Sequence, residues 1–170
     1  AASLVAAPKK APADKAPPAP YVPSEGGSLP ASLFQVPAGL EVTLWARSPM
    51  LANPTNIDFD AQGRLWVNEG VNYRTYNKGG KRRAEGDRVI VLSDTKGQGF
   101  ADSVQTFVQE PEWTSPLGIA VIDNVVYVSH APTITKFTDV NRDGKFDAAV
   151  DKKESFLTAG EISFRMSDVL

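Results

Sequence analysis

The chain has 170 residues, of which 42% are hydrophobic, and it contains no cysteine. This length suffices for one ordinary domain core, and the lack of cysteine excludes disulfides, Cys-ligated zinc, iron–sulfur clusters and CxxCH haem attachment within these residues. The 18 Lys and Arg against 20 Asp and Glu give a net charge of −2, without the basic excess that nucleic-acid binding requires.

Residues 1–32 are predicted to form a disordered tail rich in alanine and proline. Residues 1–7 look like the apolar end and cleavage region of a secretory signal, which favours a periplasmic or secreted protein. A plain Ala-rich end is the alternative. Residues 8–30 cannot pack a core and favour extended, polyproline-like conformations. No apolar run approaches the roughly 18 residues that span a bilayer, so we expect no transmembrane segment in this chain.

Residues 33–160 show the patterns of an all-β domain. Residues 40–46 alternate apolar and polar side chains, as a half-buried strand does. Two proline-led hairpins follow. The first covers residues 54–67, with a turn at Asp60–Gly63, and the second covers residues 116–128, with an Asp-containing turn of its own.

Each hairpin opens a unit of four predicted strands. A third strand (residues 88–92 or 133–137) leads into an Asp/Gly loop with the frame D-x4-G-x2-D, and a last apolar run (residues 104–107 or 155–157) follows. Four antiparallel strands make the blade of a β-propeller. Two blades are fewer than the roughly 4–8 that close a ring, so we expect an incomplete propeller, continued by further chain or completed by self-association. Residues 161–170 are predicted to be an irregular end.

The second Asp/Gly loop has the spacing of a calcium site. Its oxygen donors stand at positions 1, 3, 5, 7 and 9 of an EF-hand-like frame, with Gly144 at the sharp bend of position 6. The predicted ligands are Asp139, Asn141, Asp143, the Lys145 carbonyl and Asp147. Position 12 is valine instead of glutamate, which predicts a weak site, and the alternative is a turn without metal.

The first Asp/Gly loop, residues 94–102, is predicted to be a structural turn. It has Lys96 at position 3 and Gln98 at position 5 of the same frame. An ammonium group at a ligand position opposes a cation, so this loop is not expected to bind metal.

Four residues at the ends of predicted strands are the candidates for catalysis. His130 is the single histidine of the chain and could act as a general base, although a lone histidine is more often an ordinary packing residue. Glu69, Tyr73 and Arg74 follow the second predicted strand and could form a polar cluster at the same face. Surface hydrogen bonding explains these three equally well.

Several segments together resemble the membrane-bound dehydrogenase domain family of bacteria. They are residues 39–42, 53–69, 91–94, 116–120 and the loop that begins at Asp139. This resemblance implies a six-bladed propeller similar to soluble quinoprotein glucose and sorbosone dehydrogenases, often joined to a CxxCH haem domain. Glu69 and Tyr73 are the positions that match the early motif of the family, and the resemblance covers about the first third of its propeller.

Two functions remain open at this point. The resemblance implies an N-terminal part of an exported protein that oxidises sugar or alcohol CH–OH groups with a PQQ-like quinone or haem, the fragment alone being inactive. The alternative is a non-catalytic, calcium-stabilised propeller module that binds a carbohydrate or a protein, because a fold by itself guarantees no chemistry.

Overall fold

The structure, a computed structural model, describes residues 34–73 and 82–158. These residues form two four-stranded antiparallel sheets, each with its strands in sequence order. The strands are β1 Pro54–Phe59, β2 Leu65–Glu69, β3 Asp87–Ser93, β4 Ser103–Glu110, β5 Pro116–Ile122, β6 Val125–His130, β7 Thr133–Thr138 and β8 Lys152–Thr158. The described residues contain no helix, and hence none that could cross a membrane. The predicted tail and the C-terminal end lie outside the described residues.

The all-β prediction and the two predicted blades are confirmed. The fold is propeller-like, with two sheets that do not close into a ring. The repeat extends to an irregularity of register, since β1 shifts between Pro54 and Asn56 and β5 shifts between Pro116 and Gly118. The proline at the head of each hairpin therefore interrupts the regular pairing in both sheets, because it lacks the N–H that a ladder hydrogen bond needs.

The segment before β1 differs from the alternating strand that its pattern predicts. Of residues 40–46, only Thr43 takes part in a strand-like bridge. The segment instead covers the rear face of the first sheet, where Trp45, Ala46, Met50 and Leu51 pack against a buried cluster that includes Val67. Trp45 and Ala46 are therefore partly buried by side-chain packing and not by strand pairing, whereas Leu40 is exposed.

The main core lies between the two sheets. Nine buried side chains form it, and they come from both sheets and from the connection between them: Trp66, Val89, Val91, Phe107, Val108, Trp113, Val126, Val128 and Phe137. The aromatic rings meet edge to face, as in the pair Phe107–Phe137 with centroids 5.9 Å apart. Such pairs add to the stabilisation from area burial, so the two sheets depend on each other for their cores.

The two sheets lie side by side with the same orientation. Thr55 near the start of β1 donates a hydrogen bond to the Pro116 carbonyl at the start of β5. Further along, the Val121 amide donates to Asp58 Oδ2 at 2.7 Å. Strands β1 and β5 therefore run parallel in space. We call the end where β1 begins the upper end of the molecule and the end where β1 stops the lower end.

Candidate functional site

The predicted catalytic residues and the predicted metal ligands lie at opposite ends of the molecule. Glu69 and His130 are the last residues of β2 and β6, and Tyr73 follows β2, so all three belong to the upper end. The loop from Asp139 to Asp147 joins β7 to β8 and belongs to the lower end. Arg74 lies outside the described residues.

Glu69 is fully buried and fully engaged. Its Oε2 accepts hydrogen bonds from Arg83 Nη1 at 2.7 Å and from Arg88 Nε at 2.6 Å, and its Oε1 accepts the Ala52 amide at 2.7 Å. A buried carboxylate needs this degree of pairing. The residue therefore ties β3 and the segments before β1 and β3 to the end of β2, a structural task.

A second polar pair, Asn72 and Asp87, adjoins Glu69 at the upper end. Both are buried. The Asn72 amide donates to Asp87 Oδ1 at 3.0 Å, and the Asn72 side chain exchanges two hydrogen bonds with the backbone of Arg83. Burial raises the pKa of Asp87 above its usual range, although the hydrogen bond from the Asn72 backbone amide opposes the shift. No local pattern indicates this pair, because its members are 15 residues apart in the chain.

His130 is half-buried against the core. Its ring lies 4.9 Å from that of Trp113, and its Nε2 is 2.8 Å from Thr135 Oγ1. Burial lowers the pKa of His130, the charge of Lys153 lowers it further, and Glu112 opposes the shift. The imidazole is therefore held neutral as a packed side chain. Tyr73, 38% exposed, is the most accessible of the predicted catalytic residues that the structure describes.

At the lower end, the Asp139 carboxylate is held in an unusual state. Only 3% of the residue is exposed. Its Oδ2 accepts the Gly144 amide at 2.9 Å, whereas its buried Oδ1 has no hydrogen-bond partner among the residues that the structure describes. Buried polar atoms are nearly always paired, so this oxygen marks a candidate binding position.

The other predicted calcium ligands are exposed and bonded within the loop. Asn141 Nδ2 donates to Asp143 Oδ2 at 2.9 Å, the Lys145 amide donates to Asp143 Oδ1 at 2.8 Å, and Asp147 Oδ1 accepts the Ala149 amide at 2.9 Å. Within residues 34–73 and 82–158, no three His, Cys, Asp or Glu side chains converge as a metal centre.

Asp151, which follows the valine at the twelfth position, closes the base of the loop. Its Oδ1 accepts the Val140 amide at 2.8 Å, and its Oδ2 accepts the Asp147 amide at 2.7 Å. Both carboxylate oxygens are thus used to fix the loop backbone. The sequence pattern does not predict these hydrogen bonds, because they depend on how the loop folds back on itself.

The first Asp/Gly loop is closed by its own backbone. Asp94 accepts the amides of Gln98 at 2.9 Å and Gly99 at 2.7 Å, one on each oxygen. The Gln98 bond is the main reason that the pKa of Asp94 lies below its usual range. Asp102 Oδ1 accepts the Thr95 amide, and Lys96 Nζ is 3.9 Å from Asp102 Oδ2.

A cleft of about 230 Å³ opens at the lower end, between the two hairpin turns and the Asp139 loop. Trp66 and Val126 form its apolar floor, and both are almost completely buried. Its lining residues are Gln62, Arg64, Trp66, Asp123, Asn124, Val126, Asp139 and Arg142. The cleft therefore combines an apolar base with amide, guanidinium and carboxylate groups around the rim.

Ion pairs hold the two arginines of the cleft. Arg64 Nε lies 2.6 Å from Asp60 Oδ2, which also accepts Trp66 Nε1 at 2.8 Å. Burial alone would raise the pKa of Asp60, but the hydrogen bonds from Trp66 and Arg64 together bring it below its usual value. Arg142 makes two parallel 2.7 Å bonds to Asp123, the bidentate geometry that arginine favours with carboxylates.

The Asp139 loop is attached to the first sheet as well as to its own. The Phe146 amide donates to the Phe107 carbonyl at 2.8 Å, and Gln105 Nε2 donates to the Asp143 carbonyl at 3.0 Å. Gly144 has φ of +75°, and a Cβ there would lie 3.0 Å from Arg64 Nη1. This position therefore favours glycine for its backbone conformation, and a Cβ there would press only on the flexible end of the Arg64 side chain.

Sequence reasoning missed the cleft. Its turns were predicted, but Gln62, Arg64, Asp123 and Arg142 were not singled out. The signal that could have found them is the direction of the strands: in two parallel four-stranded meanders, both hairpin turns and both Asp/Gly loops must lie at the same end.

Comparison with known proteins gives a family. Neither the comparison with curated proteins nor the comparison with solved structures gave a match. A family model described as a domain of unknown function (DUF7133) matches residues 28–163. Because this match covers most of the chain, the protein belongs to the DUF7133 family.

Proposed function

We propose that this protein is a non-catalytic propeller module that binds a carbohydrate in the cleft at its lower end. The observation that carries the proposal is the composition of the cleft, with polar side chains around the Trp66–Val126 floor. Ligand sites are typically concave and apolar, with a few polar groups that fix orientation. Side-chain amides and guanidinium groups suit a ligand whose surface consists mainly of hydroxyl groups.

The exposed part of the rim favours a polar ligand over an apolar one. Arg142 and Asp123 are both more than half exposed, and an exposed ion pair contributes only about 0–1 kcal/mol to stability. Their donors and acceptors can therefore turn to ligand hydroxyls at little cost. Gln62, also exposed at the rim, adds an amide that can donate and accept.

The state of the upper end supports a function without turnover. Glu69 is bonded to two arginines and a backbone amide, and His130 is packed on Trp113 and bonded to Thr135. Neither residue is placed to exchange a proton with a substrate without breaking contacts of the fold.

Calorimetric titration of the protein with a panel of mono- and oligosaccharides tests the proposal. We expect Gln62→Ala and Arg142→Ala each to weaken binding by about tenfold or more, corresponding to about 1.4 kcal/mol or more. Lys136→Ala is the matched control, since Lys136 pairs with Glu154 on the second sheet, away from the cleft. Absence of binding to every sugar, or binding that Arg142→Ala leaves intact, would contradict it. Binding to a protein and to no sugar would favour a non-catalytic module that recognises a protein.

A second candidate function is sugar or alcohol oxidation by a larger exported protein. The observation in its favour is that Glu69, Tyr73 and His130 share the upper end, in addition to the resemblance to membrane-bound dehydrogenase domains. In this candidate function the protein is periplasmic or secreted and works with a PQQ-like quinone or haem.

The upper end described above does not fit either cofactor by itself. His130, the single histidine of the chain, has its Nε2 bonded to Thr135 and is not placed as a haem ligand. Arg83 and Arg88, which could bind an anionic quinone, are engaged by Glu69. Further blades would have to supply the cofactor site.

Reduction of a redox dye by the full-length protein, with added quinone and a panel of sugars and alcohols, tests this second candidate. If this second candidate is correct, the protein shows turnover that His130→Gln lowers and Lys136→Ala leaves unchanged. A folded protein without turnover on any substrate would exclude it.

A further inference from the structure

We propose that the loop from Asp139 to Asp147 binds one calcium ion, with Asp139 Oδ1 as the ligand at the first position. The inference is independent of carbohydrate binding, although the cleft and the loop share Asp139. It rests on the unpaired oxygen of a buried carboxylate, on the spacing of the other donors and on the contrast with the first Asp/Gly loop.

The Oδ1 atom of the buried Asp139 carboxylate has no hydrogen-bond partner among the described residues, although the charge of Arg142 lies close enough to act on the carboxylate. The residue is 3% exposed. The nearby Arg142 directs both of its terminal nitrogens to Asp123. A buried carboxylate is stable when it is paired or coordinates a metal, so a cation at Oδ1 completes the environment of this group.

The backbone already holds Asp139 as the first ligand of an EF-hand-like frame. Its Oδ2 bonds the Gly144 amide at the sixth position, and the bend at this glycine brings the later donors back towards the first. The Asp139 amide and carbonyl are both bonded to Asn124. The first ligand is therefore fixed at both its backbone and its side chain.

The remaining ligands come from exposed groups that can rearrange at low cost. Asn141 and Asp143 bond each other and the local backbone, and such exposed bonds can be exchanged for metal contacts or water. No three carboxylates converge within the described ranges. On binding, Asp143 and Asp147 would therefore have to turn towards Asp139, Asp147 directly or through water, with neutral oxygens from Asn141 and the Lys145 carbonyl completing the proposed ligand set.

This mixture of oxygens favours calcium over magnesium. Calcium accepts about 6–8 oxygen ligands in flexible geometry, whereas magnesium demands a near-ideal octahedron and gives up water reluctantly. Val150 stands where a bidentate glutamate would add two oxygens. We therefore expect a weak site, with a Kd of about 10⁻⁴–10⁻³ M, the range of extracellular modules.

The first Asp/Gly loop gives an internal comparison. Both oxygens of Asp94, the equivalent of Asp139, are bonded to backbone amides. Lys96 places an ammonium group near Asp102. In the first loop, backbone amides and a lysine thus stabilise the carboxylates, whereas in the second loop we propose that calcium does so.

Thermal unfolding with and without calcium tests the inference on the whole chain, after dialysis against EDTA. At 10 mM calcium chloride we expect Tm to rise by about 4 °C for a Kd near 1 mM, and the same concentration of magnesium to give a much smaller shift. Asp139→Asn and Asp143→Asn should abolish the calcium shift. Asp94→Asn, the matched change in the first loop, should retain it. Calorimetric titration with calcium alone gives a second readout.

Asp143 is exposed, so its variant remains informative if Asp139→Asn fails to fold. No shift in the wild type up to 10 mM calcium, an equal shift in Asp143→Asn, or a shift lost in Asp94→Asn would each overturn the inference. Sugar titrations in EDTA and in calcium separate the two proposals. A calcium-dependent rise in Tm without sugar binding refutes only the carbohydrate proposal. Sugar binding without a calcium-dependent rise in Tm refutes only the calcium site.

Discussion

Glu69 and His130 occupy the same position in the two sheets. Glu69 pairs with Pro54 at the head of the first hairpin, and His130 pairs with Pro116 at the head of the second. Their surroundings differ, because Glu69 binds two arginines whereas His130 stacks on Trp113. The repeat therefore fixes where these side chains lie, and the local sequence decides what they do.

Replacing Glu69 should cost stability. Glu69→Ala leaves Arg83 and Arg88 without their shared carboxylate, and breaking a buried ion pair costs about 3–5 kcal/mol. Because both arginines keep some solvent contact, we expect a loss of about 3 kcal/mol in the free energy of unfolding, measured by urea denaturation. Glu154→Ala, which breaks the exposed pair with Lys136, should change it by less than about 1 kcal/mol. Equal effects would contradict a structural role for Glu69.

The neutral state of His130 should make stability depend on pH. Burial lowers the pKa of His130 in the folded protein, so the unfolded chain binds more protons below its ordinary value of about 6.5. The contribution of His130 to the free energy of unfolding is complete above that pH, and it is lost as the pH falls towards the pKa of His130 in the folded protein. Its slope is at most about 1.4 kcal/mol per pH unit.

Urea denaturation at intervals from pH 8 to 5 measures this dependence. Lys153 and Glu112 are the charges that act on the imidazole. His130→Gln should flatten the profile between pH 7 and 5. A profile that the variant leaves unchanged would assign the pH dependence to other groups.

The rings between the sheets should dominate stability. Phe137 is fully buried and lies within 6.0 Å, centroid to centroid, of Phe107, Trp113 and Phe146. Phe137→Ala is expected to lower the free energy of unfolding by about 3–5 kcal/mol, through lost burial and the cavity left behind. Phe156→Ala is the matched control, since this ring is 61% exposed, and it should cost less than about 1 kcal/mol. Comparable losses in the two variants would refute the assignment of the core.

Two glycines with similar backbone angles should respond differently to alanine. Gly86 and Gly63 have φ of +89° and +77°, but a Cβ at Gly86 would overlap the carbonyl of Glu110, whereas one at Gly63 meets open space. Gly63→Ala should cost about 1–2 kcal/mol from the left-handed conformation alone. Gly86→Ala should cost several times more or prevent folding, as shown by thermal unfolding and soluble yield. Similar melting temperatures for the two variants would be the contrary result.

The strands could be predicted because each carries a local signal. The prolines that open β1 and β5, the turn at Asp60–Gly63 and the apolar runs bounded by Asp/Gly loops all act over a few residues. Residues 40–46 carry the same alternation, yet they form only a bridge at Thr43. Alternation indicates a buried face, and here the burial is achieved by packing on the first sheet, which no local pattern encodes.

The site was less predictable because its chemistry depends on contacts between distant residues. Glu69 was named together with Tyr73 and Arg74 from its position after the second strand, but its engagement by Arg83 and Arg88, 14 and 19 residues away, was not predicted. The donors of the Asp139 loop were named from their spacing. That Asp139 is buried with one unpaired oxygen follows only from the docking of its loop on the first sheet.

The backbone hydrogen bond from Phe146 to Phe107 has a consequence for hydrogen exchange. It is a main-chain bond between the two sheets and not within one of them, so the Phe146 amide is protected only while the sheets remain together. Its exchange rate therefore reports the separation of the sheets, whereas the amides of β2 and β3 report the opening of the first sheet itself. Comparison of this amide with those of β2 and β3 thus distinguishes a protein that opens between its sheets from one that unfolds as a whole.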